Sequence, residues 1–296
     1  MTAIIVFHPL SAPKPDGKLR VDFLDVGQGD SVLITIPSGE TLLVDGGGRA
    51  SFNNLYVLRE GEEPELFEPD IQNIGETVVS HLLWEKGYDK IDYLIPTHAD
   101  TDHIQGLIDV AENFKINSAI ISRTPVKDAD FISFQNVLEK NKIPSVTVSR
   151  GDGLSFGDLK IEILNPSPDV SPDAAWDNNH STVLRLIYGD VKILMTGDIE
   201  KETERELLNA PENLQSAVVK VAHHGSKTSS TQDFVNAAQA KIAVISVGRE
   251  SPFGHPKPEI VERWKSSGAK VMTTGEKGTI TLTTDGKLIF IETFTK

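Results

Sequence analysis

Apolar and polar residues alternate along much of the chain, and the period of that alternation divides it into short strands and amphipathic helices. Across residues 18–26, Leu19, Val21 and Phe23 alternate with Arg20 and Asp22, the pattern of a half-buried strand. Gly27-Gln28-Gly29-Asp30 turns it into a second strand, 31–36. Pro37-Ser38-Gly39-Glu40 then leads to a third, 41–44, which ends in Asp45-Gly46-Gly47-Gly48. Residues 74–84 and 103–114 have helical period and flank an apolar strand at 91–96. A strand at 119–122 and a helix at 131–140 follow.

Strands at 145–148 and 159–164 read as a pair around Arg150-Gly151-Asp152-Gly153, and 165–180 as loop. A hairpin about Gly189-Asp190 joins 182–188 to 191–195. Helix 199–209, strand 217–221, helix 232–239, strand 242–247 and helix 258–267 alternate after it, and a hairpin of 278–283 and 288–294 closes the chain. Strand meanders thus precede strand–helix alternation in each half. The expected fold is a mixed α/β one, a four-layer αββα sandwich with two sheets face to face and helices outside. Residues 1–17, interrupted by Pro9, Pro13 and Pro15, read as an arm, and 18–296 as one domain. The acidic, aperiodic stretch 49–72 is either a solvated loop or a lid.

Composition narrows this picture. The absence of cysteine excludes disulfides and thiolate metal sites, and makes the cytoplasm the default compartment. The N-terminus lacks the basic region of a signal peptide. No window approaches the roughly 20 apolar residues of a membrane span, so a soluble protein without a membrane partner is expected. A net charge of −14 argues against sequence-independent gripping of a long polyanion. A phosphate substrate is still compatible with it, because bound divalent ions invert the local sign.

The chemistry concentrates in Thr97-His98-Ala99-Asp100-Thr101-Asp102-His103, between strand 91–96 and helix 103–114. Such a turn can aim His98, Asp100 and Asp102 at one spot, with His103 beside them. Imidazole and carboxylate together suit zinc, manganese or iron better than calcium, and the ligand number suits a pair of ions. The bland alternative is a polar turn whose Asp102 caps the helix. Asp45, Asp198, His223 and His255 also follow predicted strands, whereas His180 precedes one. Each alone could be a turn or cap residue.

The combination resembles a family. HxDxDH at 98–103, with LDVGQGDS (24–31) and LLVDGGG (42–48) before it, is similar to the metallo-β-lactamase superfamily. NNHSTVLRL (178–186), KILMTGDI (192–199), VVKVAHHGSKTSS (218–230) and ISVGRESPFGHPKPEIVERW (245–264) follow in order. The similarity is strongest to the hydrolase domain of ComEC-type competence proteins and its free-standing soluble relatives. It implies the αββα fold, a site for two divalent ions (zinc or manganese) at the sheet edge, and hydrolysis by a metal-activated water. Asp100 stands where the wider superfamily has a second histidine. By matching motif, His98 and Asp100 are expected at the first ion and Asp102 and His103 at the second. Asp198 should bridge them or bind the second, His223 should complete the set, and His180 is a further ligand candidate. Asp102 or Asp198 would take the water's proton. His255 could be a ligand, a proton donor or a phosphate contact. Asp45 and His224 are expected to support the ligands from behind, and Ser226 and Lys227 to hold substrate. Lys220, Arg249 and Lys257 could supply local positive charge.

The favoured activity is that of a phosphodiesterase or nuclease acting on short or single-stranded nucleic acid. A small-molecule ester, lactone or lactam hydrolase is the second expectation, disfavoured for lactams by the missing cysteine. A non-catalytic, metal-stabilised binding protein is the third.

Overall fold

The computed structural model describes residues 12–48, 73–122, 127–170 and 177–295. Most of the arm at 1–17, and all of the candidate lid at 49–72, lie outside the described residues. The alternation at the N-terminus becomes three antiparallel strands, β1 (Leu19–Phe23), β2 (Val32–Thr35) and β3 (Thr41–Val44). Three parallel strands extend that sheet: β4 (Lys90–Ile95), β5 (Lys115–Ser122) and β6 (Ser145–Val148). A second sheet runs from β7 (Gly153–Phe156) through β8 (Leu159–Asn165), β9 (Val183–Tyr188) and β10 (Val191–Met195), all antiparallel. It continues in parallel through β11 (Val218–Lys220), β12 (Ile242–Ile245) and β13 (Lys270–Thr273). The chain then returns to the first sheet as the hairpin β14 (Ile280–Thr284) and β15 (Ile289–Thr293), with β14 paired to β1.

Helices cover both outer faces. On the first sheet lie α1 (His81–Glu85), continuing a π-helical turn at Gly75–Ser80, α2 (Thr101–Asn113) and α3 (Ala129–Lys140). On the second lie α4 (Lys201–Asn209), α5 (Gln232–Ala238) and α6 (Pro258–Ser266). A single turn, α7 (Thr274–Lys277), leads into β14. The resulting αββα architecture is the one the pattern predicted. Successive residues of a strand serve different layers. Ile34 and Ile193 pack between the sheets, whereas their neighbours Leu33 and Leu194 pack under the helices. Sheets covered on both faces need this continuous apolar composition.

Three expectations change. The strands at 145–148 and 159–164 do not pair: β6 lies parallel to β5 in the first sheet, and β8 sits between β7 and β9 in the second. Residues 149–152 are therefore a crossing between sheets rather than a hairpin turn. The short strands β7 and β13 were not legible as strands. Helix α2 begins at Thr101, so His103 lies inside its first turn.

The topology gathers the functional loops. β3, β4, β10, β11 and β12 are consecutive parallel neighbours within their sheets, and their C-terminal ends lead into the loops that carry Asp45, His98, Asp198, His224 and Ser246. Residues 45–48 lie directly on the first turns of α2. Gly46 N–H donates to His103 O at 2.7 Å, and Gly106 N–H donates to Gly47 O at 2.9 Å. A Cβ at Gly106 would run into the Gly46 carbonyl oxygen. Gly106→Ala is therefore expected to cost about 1–3 kcal/mol by overpacking. A denaturant midpoint equal to that of the unaltered chain would contradict this close approach.

Candidate metal centre

One ligand atom each from Asp30, His103, Asp198 and His224 lies within 4.8 Å of the others, and all four side chains are buried. His103 Nε2, His224 Nε2 and Asp198 Oδ2 form a triangle with 3.3 Å sides. Asp102 Oδ2 is 3.4 Å from His224 Nε2. The His98 ring lies 4.0 Å from that of His103, and its Nε2 is 3.6 Å from Asp100 Oδ2.

The three imidazoles are oriented from behind in the same way. His103 Nδ1 donates to Asp45 Oδ2 at 2.9 Å, and His224 Nδ1 donates to the Ser246 carbonyl at 2.9 Å. The Thr97 hydroxyl donates to Asp45 Oδ2 at 2.7 Å, so it accepts from His98 Nδ1 at 2.9 Å. Each ring thus spends its Nδ1 proton on a fixed acceptor and turns Nε2 toward the others, which is how ligand histidines are held. Asp45 supports two of the three rings. Its backbone is left-handed (φ 56°), and its Oδ1 accepts from Thr97 N–H at 2.7 Å.

The helix-capping alternatives do not apply. Asp100 occupies the N-cap of α2 but makes no side-chain cap hydrogen bond, and Asp102 lies in the first turn. Glu200, not Asp198, occupies the N-cap of α4. The acidic groups are left to face the histidines. Burial disfavours charge on His224, but Asp198 and Asp102 outweigh it and raise the imidazole to about 10. His103 is likewise raised well above 6.5, because Asp198 and Asp45 overcome its burial. Burial pushes Asp198 upward, yet His224, His103 and Lys220 bring it well below the usual carboxylate range. Asp102 is also lowered, by His224 and His103 against its burial, and Asp100 chiefly by His98.

These residues fit a divalent metal centre. His98 Nε2 and Asp30 Oδ1 are buried without a hydrogen-bond partner among the described residues. The Nε2 atoms of His103 and His224 converge with Asp198 Oδ2, and nitrogen with carboxylate oxygen is a donor set for zinc, manganese or iron.

The structure sorts the remaining expectations. Of the pair His223-His224, the second ring and not the first joins the cluster. His223, expected as a ligand, is half-buried, and its Nδ1 lies 3.3 Å from Glu200 Oε1 and 3.2 Å from Thr228 Oγ1. His224, expected behind the ligands, enters the cluster. Both residues have left-handed backbone (φ 49° and 51°), so the 3₁₀ turn at Ala222–Gly225 sends the second ring, not the first, inward. Such strain persists only where the surroundings hold it. His180 sits in the short 3₁₀ turn Asn178–His180, with Nδ1 2.9 Å from Asp177 Oδ1, outside the cluster.

His255 lies beside His223, with ring centroids 5.8 Å apart. Burial, then the charges of His224 and His223, lowers it to about 4, so it is neutral at pH 7. Ser226 is buried, with its hydroxyl on Thr228 Oγ1, while Lys227 is exposed. Lys220 cannot face substrate. It is buried, ion-paired to Asp30, and 3.5 Å from Asp198 Oδ1. Arg249 Nε donates to Gly275 O and Lys257 Nζ to Phe253 O. Asp30 was absent from the expected site, although it stands in the quoted LDVGQGDS.

Comparison with known proteins places these features in a family. Residues 24–249 match the family model described as "Metallo-beta-lactamase superfamily". The chain is 33% identical over 262 residues to ComE operon protein 3 of Bacillus subtilis (strain 168), covering 88% of this chain and 32% of that protein. It is 29% identical over 282 residues to competence protein ComA of Neisseria gonorrhoeae, covering 95% of this chain and 34% of that protein. The chain thus spans about a third of the length of the curated relatives it matches. Among solved structures, CmlA, a diiron β-hydroxylase from Streptomyces venezuelae, shares the fold with a TM-score of 0.52 at 13% identity, over 88% of this chain and 53% of that one. The family match, the two helix-covered sheets and the histidine–aspartate cluster at their rim agree: the chain belongs to the metallo-β-lactamase superfamily.

Proposed function

We propose that this metal-dependent hydrolase cleaves phosphodiesters, with short or single-stranded nucleic acid as substrate. The observation that carries the reading is the ligand set itself. Three histidine Nε2 atoms face a group that includes the buried Asp198 and the more exposed Asp100 and Asp102. In this reading His98 and Asp100 would hold one divalent ion, Asp102, His103 and His224 would hold a second, and Asp198 would serve the pair. Zinc or manganese, when bound, would supply Lewis acidity and a water acidic enough to attack at neutral pH. Asp100 in place of imidazole makes the set richer in oxygen and more suited to manganese. The name of one curated relative, competence protein ComA, supports a nucleic-acid substrate.

The protein's own groups divide the work. Asp102 or Asp198 takes the proton of the attacking water. Neutral His255 at the rim takes part as a hydrogen-bond partner rather than as a ready acid. Exposed Lys227 meets substrate phosphate. Lys227→Ala should then raise KM more than it lowers kcat, since a contact away from the reacting atoms gives mostly uniform binding. Asp45→Asn should weaken metal binding about 10–100-fold, because it loosens His103 and, through Thr97, His98. Calorimetric titration reads that loss, and unchanged affinity would refute the supporting role.

The deciding experiment loads the protein with Mn²⁺ or Zn²⁺. It then compares labelled single- and double-stranded oligonucleotides and a chromogenic phosphodiester with a chromogenic lactam and thioester. Metal-dependent phosphodiester cleavage, lost in His98→Ala and His224→Ala, is expected. If every phosphodiester stays intact while the lactam or thioester opens in a His98-dependent way, the substrate assignment is wrong.

A further inference from the structure

A lysine sits where the cluster could hold one more cation. Lys220 ends β11 on the same face as Val218, in the layer between the sheets, and its side chain is almost fully buried. Its ammonium is ion-paired to Asp30 Oδ2, donates to Gly197 O at 3.1 Å, and lies 3.5 Å from Asp198 Oδ1. Three N–H donors thus meet three oxygens, the full donor capacity of an ammonium. The same pair of carboxylates belongs to the metal-ligand cluster. Asp198 therefore divides its oxygens, Oδ1 toward Lys220 and Oδ2 toward His103 and His224.

We infer that Lys220 is a built-in cation: it fills an all-oxygen seat between Asp30 Oδ2 and Asp198 Oδ1, withholds those two oxygens from metal and leaves Asp198 a single oxygen for it. The formal charges support this. Asp30, Asp45, Asp100, Asp102 and Asp198 bring five negative charges and Lys220 one positive, so two divalent ions leave the group neutral. Without the ammonium the same group would be short of cations and would expose a seat of two carboxylates and a carbonyl. Oxygen seats of this kind favour manganese or magnesium over zinc. Lys220 acts through Asp198 and is a positioning residue. The inference rests on the proposed metal site.

The test is metal stoichiometry and coordination in the whole chain. Lys220→Met keeps the length and apolar stem of the side chain and removes the charge. After equilibration with Mn²⁺ and desalting, elemental analysis should give one more equivalent in Lys220→Met than in the unaltered chain. With Zn²⁺ the gain should be smaller. Adding Asp30→Asn should remove the extra ion. Because a lone buried Asp30 could unfold the single variant, Lys220→Met/Asp30→Asn, which has no unpaired charge there, provides a second reading. With Asp198 Oδ1 released, its Co²⁺ absorption spectrum should differ from that of the unaltered chain, and its metal affinity should shift at least tenfold. Unaltered stoichiometry in a folded Lys220→Met, or a Co²⁺ spectrum and affinity unchanged in the double variant, overturns the inference. An unaltered chain that binds no ion at all overturns the metal site instead, so the two failures are distinguishable.

Discussion

Asp198→Asn is expected to abolish hydrolysis and to release at least one metal ion while leaving the fold in place. The carboxylate is buried, and its Oδ2 is 3.3 Å from both His103 Nε2 and His224 Nε2. Through Oδ2 it faces the Nε2 atoms of both imidazoles, and through Oδ1 it faces the Lys220 ammonium. Loss of a group that merely supports a ligand costs about 10–100-fold in affinity or activity. A carboxylate shared at the centre of the site should cost more than that in kcat/KM. Asparagine keeps the shape, and Lys220 keeps Asp30 as its partner. Thermal unfolding monitored beside metal content separates the effects. Full activity with both ions retained would remove Asp198 from the centre.

The second large effect is a reversal of pH dependence on metal loading. In the metal-free chain, His224 has a folded value of about 10, above the 6.5 of an unfolded histidine. Its stabilisation is therefore complete below pH 6.5 and is lost as pH rises toward 10. Raised His103 acts in the same direction. Asp198 and Asp102 lie below 3.8 when folded, so their contribution is complete above that value and is lost on further acidification. The metal-free protein should be most stable between about pH 4 and 6.5. Ligation requires these imidazoles without the Nε2 proton, so metal affinity rises with pH and binding releases protons. Metal at a thousandfold excess over its Kd adds about 4 kcal/mol. The gap in Tm between loaded and metal-free protein should therefore widen from pH 6 to 9. A gap that stays constant would mean that the metal does not displace these protons.

The architecture was legible because each strand carries its own period and each turn its own chemistry. Leu19, Val21 and Phe23 mark a strand wherever it pairs. What the period does not encode is the partner. Residues 145–148 and 159–164 would alternate identically in one sheet or in two, and only packing places β6 and β8 in different sheets. The strands β7 and β13 begin at or just after the turn-like stretches Arg150-Gly151-Asp152-Gly153 and Ser266-Ser267-Gly268, and neighbouring strands define them.

The site divides along the same line. His98, Asp100, Asp102 and His103 were legible because four ligand-type residues within six need no tertiary contact to be noticed. Asp45 and Asp198 were legible from their place after strands. Asp30 was not, for it precedes its strand, in a turn whose Gly-Asp composition needs no further explanation. Lys220 left a signal in Val218-Val219-Lys220-Val221, since a charge inside an apolar run must be paired if it is buried. Its partners come from 190 and 22 residues away and cannot be read locally. The choice between His223 and His224 rests on two left-handed residues and the position of Ser246. The sequence by itself determined the elements and the stock of ligands, because periodicity and residue chemistry are local. Only the tertiary structure decided which ligands meet, because convergence depends on strand pairing and backbone turns that no single segment contains.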